Sequence, residues 1–252
     1  MTILTEKSLI KEEIINIRYS DLDLYKRLKP FSLLNFFQDI ASDSAESLGF
    51  GYSNIYPKNL MWVLIKYRIE FNEYPTDINN LTLKTEPRGR NKIFAYRNFE
   101  LSDGNKVLAR ASSIWSLVNI ETIKPVLIED VINNHNLLKY EKRENDLNFT
   151  KIPQLTNTDY EKEFEVRFND IDVNLHANNG NYIIWALEPL PIDFQKEHKL
   201  KNIDMMFKKE IKCGEKIISK VQRMEENLTI HSVQNMETGD DLCILRCEWE
   251  DC

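Results

Sequence analysis

Apolar side chains recur at Leu33, Leu34, Phe37, Ile40, Ala41, Ala45 and Leu48, one stripe at helical period, with Pro30 placed for a first turn and Gly49 for a stop. A shorter stripe starts near Asn179 and carries Tyr182, Ile183, Ala186 and Leu187, before Pro189 and Pro191 limit it. Past each helix the pattern turns to strands. Leu81–Glu86, Lys92–Leu101 and Lys106–Asn119 follow the first, with turns expected at Pro87-Arg-Gly-Arg and at Asp103-Gly104. Lys216–Met224, Asn227–Glu237 and Asp241–Glu250 follow the second, turning at Glu225-Glu226 and Thr238-Gly239-Asp240.

The two halves are related by a repeat. Ile17-Arg-Tyr-Ser-Asp-Leu-Asp-Leu24 returns 149 residues later as Val166-Arg-Phe-Asn-Asp-Ile-Asp-Val173, each position identical or chemically close. Each copy precedes a helix and then a group of strands, so the pattern predicts an α+β architecture built twice, a helix with one apolar stripe buried against an antiparallel sheet. Residues 133–160 are polar and poor in periodicity and are expected to link a first domain, 1–132, to a second, 161–252.

The chain has 252 residues, 42% hydrophobic and 29% charged, the composition of an ordinary globular protein. The longest apolar runs, Leu60–Ile65 and Tyr182–Leu187, have six residues and the start has no apolar core, so neither a signal peptide nor a membrane span is expected. Cys213, Cys243, Cys247 and Cys252 show no pairing pattern and read as reduced thiols, which points to the cytoplasm. A formal charge of −7 argues against wholesale nucleic-acid binding.

Chemistry is expected where the copies differ. If the second copy is extended, Asp170, Asp172, Asn174 and His176 share one face. The first copy keeps Asp21 and Asp23 but has Tyr25 for Asn174 and Arg27 for His176, so an amide and an imidazole occur once, as a duplicated unit with a single catalytic site requires. The opening Asp170-x-Asp172-x-Asn174 imitates a calcium loop, but Leu175 and Asn181 stand where such a loop needs Gly and Glu, and no metal or cofactor is expected. No GxSxG elbow, GxGxxG loop or P-loop is present.

The string Asp170-Ile-Asp-Val-Asn174-Leu-His176-Ala-Asn178-Asn179-Gly-Asn-Tyr182-Ile-Ile-Trp185-Ala-Leu-Glu188 resembles the DxDxNxHxNNxxYxxWxxE signature of acyl-acyl-carrier-protein (acyl-ACP) thioesterases of the double hotdog type. In the first half, Leu34–Ala41, Leu48-Gly49-Phe-Gly51, Met61–Leu64, Tyr74-Pro75 and Ser113–Asn119 agree in order. The resemblance implies two tandem hotdog units, each an antiparallel sheet wrapped around a central helix. It further implies hydrolysis of a fatty acyl thioester on acyl carrier protein, with the acyl chain housed by the first unit and the chemistry in the second. Asn174 and His176 become the central pair, with Asp172 orienting them. An amide or helix N-terminal N–H can stabilise the oxyanion, and an imidazole can polarise the carbonyl or activate water. An acyl-CoA thioesterase, or a non-catalytic acyl-binding module, is the alternative on the same scaffold. A homodimer is compatible with it.

Plant members carry a carboxylate just before a Cys in the first long strand of the second unit, where this chain is expected to place Lys212-Cys213. Glu188 and Glu210 are therefore the candidate bases; Cys213 is not expected to be a nucleophile. Trp62, Trp115, Tyr182 and Trp185 read as core or pocket wall, and His135, His198 and His231 receive no role. Acyl carrier proteins are acidic while this chain is net negative, so encounter calls for a local cationic patch. Two clusters offer one: Arg88, Arg90, Lys92 and Arg97, and, flanking the proposed chemistry and therefore preferred, Lys208, Lys209 and Lys212.

Overall fold

The computed structural model describes residues 9–75, 80–132, 137–172 and 175–252. Asn174 and His135 lie outside them. The chain divides into two units: one formed by residues up to Lys29, Leu33–Ile65 and Asn72–Asn148, the other by Pro30–Ser32, Lys66–Phe71 and Phe149–Cys252. The stretch expected as a linker is thus shared between the units, and one strand and the first turn of one helix are divided between them as well.

In the first unit α1 (Pro30–Ser47) has the predicted bounds. Pro30 stands in its first turn, and Gly49 at φ +79° ends it, with Phe50 N–H returning to Ala45 O at 3.0 Å. The predicted stripe is buried, and Phe37 stacks on Phe99 with ring centroids 4.7 Å apart. A short helix α2 (Tyr52–Ile55) precedes β2 (Leu60–Phe71). With β1 (Lys11–Ile15), β3 (Leu81–Asn91), β4 (Phe94–Asp103) and β5 (Lys106–Asn119), the strand order is β1-β3-β4-β5-β2.

The turn expected at Pro87-Arg-Gly-Arg is not there. β3 runs through it with a bulge between Pro87 and Gly89, and the chain reverses after Asn91, where Lys92 takes φ +55°. Gly89 serves a close approach instead. A Cβ there would lie 2.8 Å from Leu138 O and from the Tyr140 backbone, because Arg90 exchanges backbone hydrogen bonds of 2.8 Å with Leu138 and Tyr140. The cationic cluster expected on this surface is largely internal: Arg88, Arg90 and Arg97 are buried. Arg88 pairs with buried Asp146 at 2.8 Å, Arg90 with Glu129 at 2.9 Å, and Arg97 donates to Thr85 Oγ1 at 3.0 Å. Burial alone would raise the Asp146 carboxyl, but hydrogen bonds from Arg88, the Arg143 N–H and Asn98 outweigh it and hold the group below the ordinary carboxylate value.

The second unit has α3 (Asn179–Leu187), α4 (Ile192–Glu197), β6 (Tyr160–Glu165), β7 (His198–Phe207), β8 (Lys216–Glu225), β9 (Leu228–Asn235) and β10 (Asp241–Asp251). Its strand order, beginning with the second half of β2, is β2-β7-β10-β9-β8-β6, every pairing antiparallel. α3 packs on β8 and β9. Each unit therefore sets a longer helix, α1 or α3, against an antiparallel sheet, as expected, and adds a short one, α2 or α4. The strands at β1, β2, β6 and β7 escaped the hydrophobic pattern because β1 and β6 are sheet edges rich in Glu and Lys, β2 opens on an unbroken apolar run without alternation, and β7 interleaves Lys, Asn and Asp with its apolar residues.

His231 pins α3 to this sheet. It is fully buried, Nδ1–H donating to Ala186 O at 2.7 Å and Nε2 accepting from the Thr229 hydroxyl at 2.7 Å, whose oxygen accepts from Trp249 Nε1 at 2.8 Å. Burial pushes its pKa down to about 4, against a smaller raising effect of the Ala186 carbonyl. A folded value below the unfolded one means that the unfolded chain takes up the proton first, so stability falls as pH drops from about 6.5 to about 4. The loss should reach about 3 kcal/mol in urea unfolding at pH 4 relative to pH 7. A His231→Gln variant, less stable at neutral pH, should lack this part of the acid dependence; an unchanged pH profile would remove His231 from the account.

Candidate active site

The repeated segment is not extended. Phe168–Asp170 forms a 3-10 turn, and Asp170 is 2% exposed, its carboxylate accepting the Arg167 N–H at 2.8 Å and the Arg167 guanidinium at 2.8 Å. Its carbonyl accepts from Asn178 N–H and from Asn181 Nδ2, each at 2.8 Å. Asp170 thus fastens the loop to the first turn of α3. A tight turn follows, closed by Asp172 N–H to His176 O at 2.8 Å and Leu175 N–H to Asp172 O at 3.1 Å, with Leu175 at φ +66°. The expected common polar face is replaced by a turn that carries Asp172 and His176 at its two ends.

The first copy closes with the same pair of hydrogen bonds. Asp23 N–H bonds to Arg27 O at 2.8 Å, Lys26 N–H to Asp23 O at 3.0 Å, and Lys26 takes φ +63°. There the Asp23 carboxylate accepts the N–H groups of Tyr25 and Arg27 at 2.8 and 2.9 Å and pairs with Arg27 Nε at 2.7 Å. An ion pair fills the place that an imidazole takes in the second copy.

His176 meets Glu210 because the backbone beside them pairs: Ala177 N–H donates to Ile211 O at 3.2 Å. His176 Nε2 then lies 3.1 Å from Glu210 Oε2, both side chains partly open to solvent. Glu210 sits on a loop, not on a strand as expected, since β7 ends at Phe207 and β8 begins at Lys216. That loop is held by Lys208 N–H to Leu242 O and Gly214 N–H to Val166 O, each 2.8 Å, and by ion pairs from Lys208 to Asp241 (2.7 Å) and Lys209 to Asp240 (2.6 Å). Lys212 and Cys213 are exposed on the same loop. Of the two candidate carboxylates, Glu210 is the one brought beside His176. Glu188 is not brought near: it follows α3, whose nine residues span about 13 Å, and pairs with Lys162 at 2.9 Å on the surface.

Asn178 caps α3, its Oδ1 accepting Gly180 N–H at 2.8 Å. Gly180 leaves room for Phe31, whose ring a Cβ would approach to 2.9 Å. Tyr182, read as wall, reaches the site: its buried hydroxyl lies 3.5 Å from Lys209 O, and burial, with Cys243, Glu210, Asp172 and Glu215 nearby, pushes the phenol well above its ordinary pKa. The signal for it was available in the DxDxNxHxNNxxY spacing. Burial likewise raises the thiols of Cys243 and Cys247. Among the described residues no three His, Cys, Asp or Glu side chains converge as a metal site, and no helix is long and apolar enough to cross a membrane.

Two family models match, the N-terminal domain of acyl-ACP thioesterases over residues 9–135 and the C-terminal domain over 152–251. The chain belongs to the acyl-ACP thioesterase family. It is 26% identical over 253 residues to a chloroplastic acyl-acyl-carrier-protein hydrolase of Cuphea viscosissima, covering 93% of this chain and 61% of the relative. It is 27% identical over 224 residues to a chloroplastic oleoyl-acyl carrier protein thioesterase of Arabidopsis thaliana, covering 82% of this chain and 62% of the relative. The chain spans about six tenths of the length of these curated relatives. An acyl-ACP thioesterase from Bacteroides thetaiotaomicron superposes with a TM-score of 0.86 at 24% identity, covering 98% of this chain and all of the other. The 12:0-ACP thioesterase from Umbellularia californica gives 0.83 at 20%, covering 97% and 95%. These structures establish the double hotdog fold for this family member.

The turn geometry is open to direct test. Leu175 is a left-handed, exposed residue, so Leu175→Asn, which tolerates that conformation, should raise the unfolding free energy by up to about 1 kcal/mol, whereas β-branched Leu175→Val should lower it. The opposite order in thermal unfolding would contradict the turn.

Proposed function

We propose that this protein hydrolyses the thioester of fatty acyl groups carried on acyl carrier protein, releasing the free fatty acid. The observation that carries the reading is the His176–Glu210 pair at 3.1 Å, set beside the capped N-terminus of α3 within the family's signature. Glu210 takes a proton from the attacking water as its oxygen bonds to the carbonyl carbon. The oxyanion is met by the Asn174 amide, assigned by its place in the motif. Collapse breaks the C–S bond, and the proton held by Glu210 passes to His176, 3.1 Å away, which delivers it to the departing thiolate of the carrier. Asp172, whose main chain closes the turn at both ends, is assigned as the positioning residue by its place in the motif. The apolar cavity of the first unit, lined by Ala41, Ala45, Phe50, Trp62, Ala95 and Trp115, is suited to house the acyl tail.

A panel of acyl-carrier and acyl-CoA substrates from short to long chains tests the reading: faster turnover of the carrier-linked series supports it, preference for acyl-CoA replaces the substrate, and binding without turnover rejects an enzyme. Asn174→Ala, His176→Ala and Glu210→Gln should each lower kcat by about two orders of magnitude or more. Glu188→Gln should keep it within about twofold, because its carboxylate is committed to Lys162. Full activity in Glu210→Gln would leave water positioned by Asn174 and His176 as the nucleophile's only activation.

A further inference from the structure

An acidic carrier needs a cationic surface, and the lysines that flank Glu210 do not offer much of one, since Lys208 and Lys209 are matched by Asp241 and Asp240. The first copy of the repeated loop does. Arg18–Lys29 carries four cations against two carboxylates, net +2, whereas its counterpart Arg167–Asn178 carries one cation against two carboxylates. Lys26, Arg27 and Lys29 stand where the second copy has Leu175, His176 and Asn178. The two carboxylates of the first copy are engaged within the loop itself: Asp21 accepts the Arg18 N–H at 2.8 Å, and Asp23 accepts backbone N–H groups and pairs with Arg27. Arg18 and Lys26 remain exposed. Between them stand exposed apolar groups, Tyr19 at 87% and Leu24 at 72%, and Arg27 lies over the Tyr25 ring at 4.8 Å.

Solvation alone does not account for that combination. A loop relieved of catalysis is free to drift toward plain polar residues, yet this one concentrates Arg and Tyr, residue types that carry energy at protein interfaces, and adds lysines that contribute long-range attraction, in a chain of net charge −7. We infer that the loop Arg18–Lys29 is a docking surface for an acidic protein, the acyl carrier, its cations steering the encounter and Tyr19 and Leu24 supplying apolar contact. The inference rests on the proposed substrate. The duplicated unit has then divided the work, one turn keeping the reacting groups and the other binding what delivers the substrate.

The test is direct titration with carrier protein bearing its free phosphopantetheine arm, alongside kinetics on acyl-carrier and on small acyl-pantetheine substrates. Arg18→Glu combined with Lys26→Asn removes the exposed charge while Asn suits the left-handed backbone at 26; Tyr19→Ser tests the apolar contact, and circular dichroism checks the fold. Both variants should weaken carrier binding, and the charge variant should raise KM for acyl-carrier about tenfold while leaving acyl-pantetheine turnover within about twofold, with added salt mimicking it in the wild type. Unchanged carrier affinity, or equal loss on both substrates, would overturn the surface. So would loss of binding to anionic phospholipid vesicles with carrier binding intact, which would assign the loop to a membrane. Wild-type protein that hydrolyses acyl-carrier with no dependence on this loop keeps the function and rejects the surface; one that binds carrier through the loop but hydrolyses only acyl-CoA keeps the surface and rejects the function.

Discussion

The hydrogen bond from Ala177 N–H to Ile211 O is the constraint on which the site depends. It joins two segments more than thirty residues apart in sequence and places the residues just before each, His176 and Glu210, side by side. Everything around it keeps that register. Asp170 and Asn178 tie the loop to α3, and the Lys208 and Lys209 ion pairs hold the segment that carries Glu210. Neither His176 nor Glu210 is deeply buried, so the pair avoids the desolvation cost of an ion pair in the core and keeps a path to water, which a hydrolytic site needs.

The duplicated turn shows how one backbone supports two chemistries. Both copies close with the same two hydrogen bonds and the same left-handed residue, and in both the first Asp caps the N–H three residues before it. These features concern the main chain and are indifferent to which side chains the turn presents. In the first copy an Arg27–Asp23 pair occupies the turn, and in the second an imidazole projects toward a carboxylate from another loop. The sequence asymmetry between Tyr25 and Asn174 and between Arg27 and His176 is therefore an asymmetry of side chains laid over turns closed in the same way.

Burial of arginine organises the first unit. Arg88, Arg90 and Arg97 read as a surface patch because charge runs normally are one. Arg88 and Arg90 are internal because residues after β5 bring Asp146 and Glu129 to them, and Arg97 because Thr85 on the neighbouring strand accepts from it, while Asn98 and Tyr140 complete the shell of Asp146. A carboxylate with that many donors offsets its desolvation, and losing either partner of the pair would strand a charge. The polar stretch expected as a linker is polar for this reason: it is fastened by its charges. Thr150 continues the pattern in the second unit, its N–H bonded to Asp204, which pairs with Arg68 at 2.5 Å.

What the sequence determined by itself follows from local physics and from the repeat. Helical period gave α1 and α3 nearly to the residue, the Asp103-Gly104 turn set the β4–β5 hairpin, and the doubled motif gave two helix-on-sheet units and singled out Asp172, Asn174 and His176 as the place to look. Tertiary structure decided the rest, because the deciding contacts join residues that no local pattern relates. It turned the supposedly extended motif into a closed turn, ran β3 through the expected Pro87–Arg90 bend, and chose Glu210 over Glu188 as the partner of His176. Spacing along a chain fixes which way neighbouring side chains point, but which carboxylate meets an imidazole is settled only when a backbone hydrogen bond such as Ala177 to Ile211 brings distant segments into register.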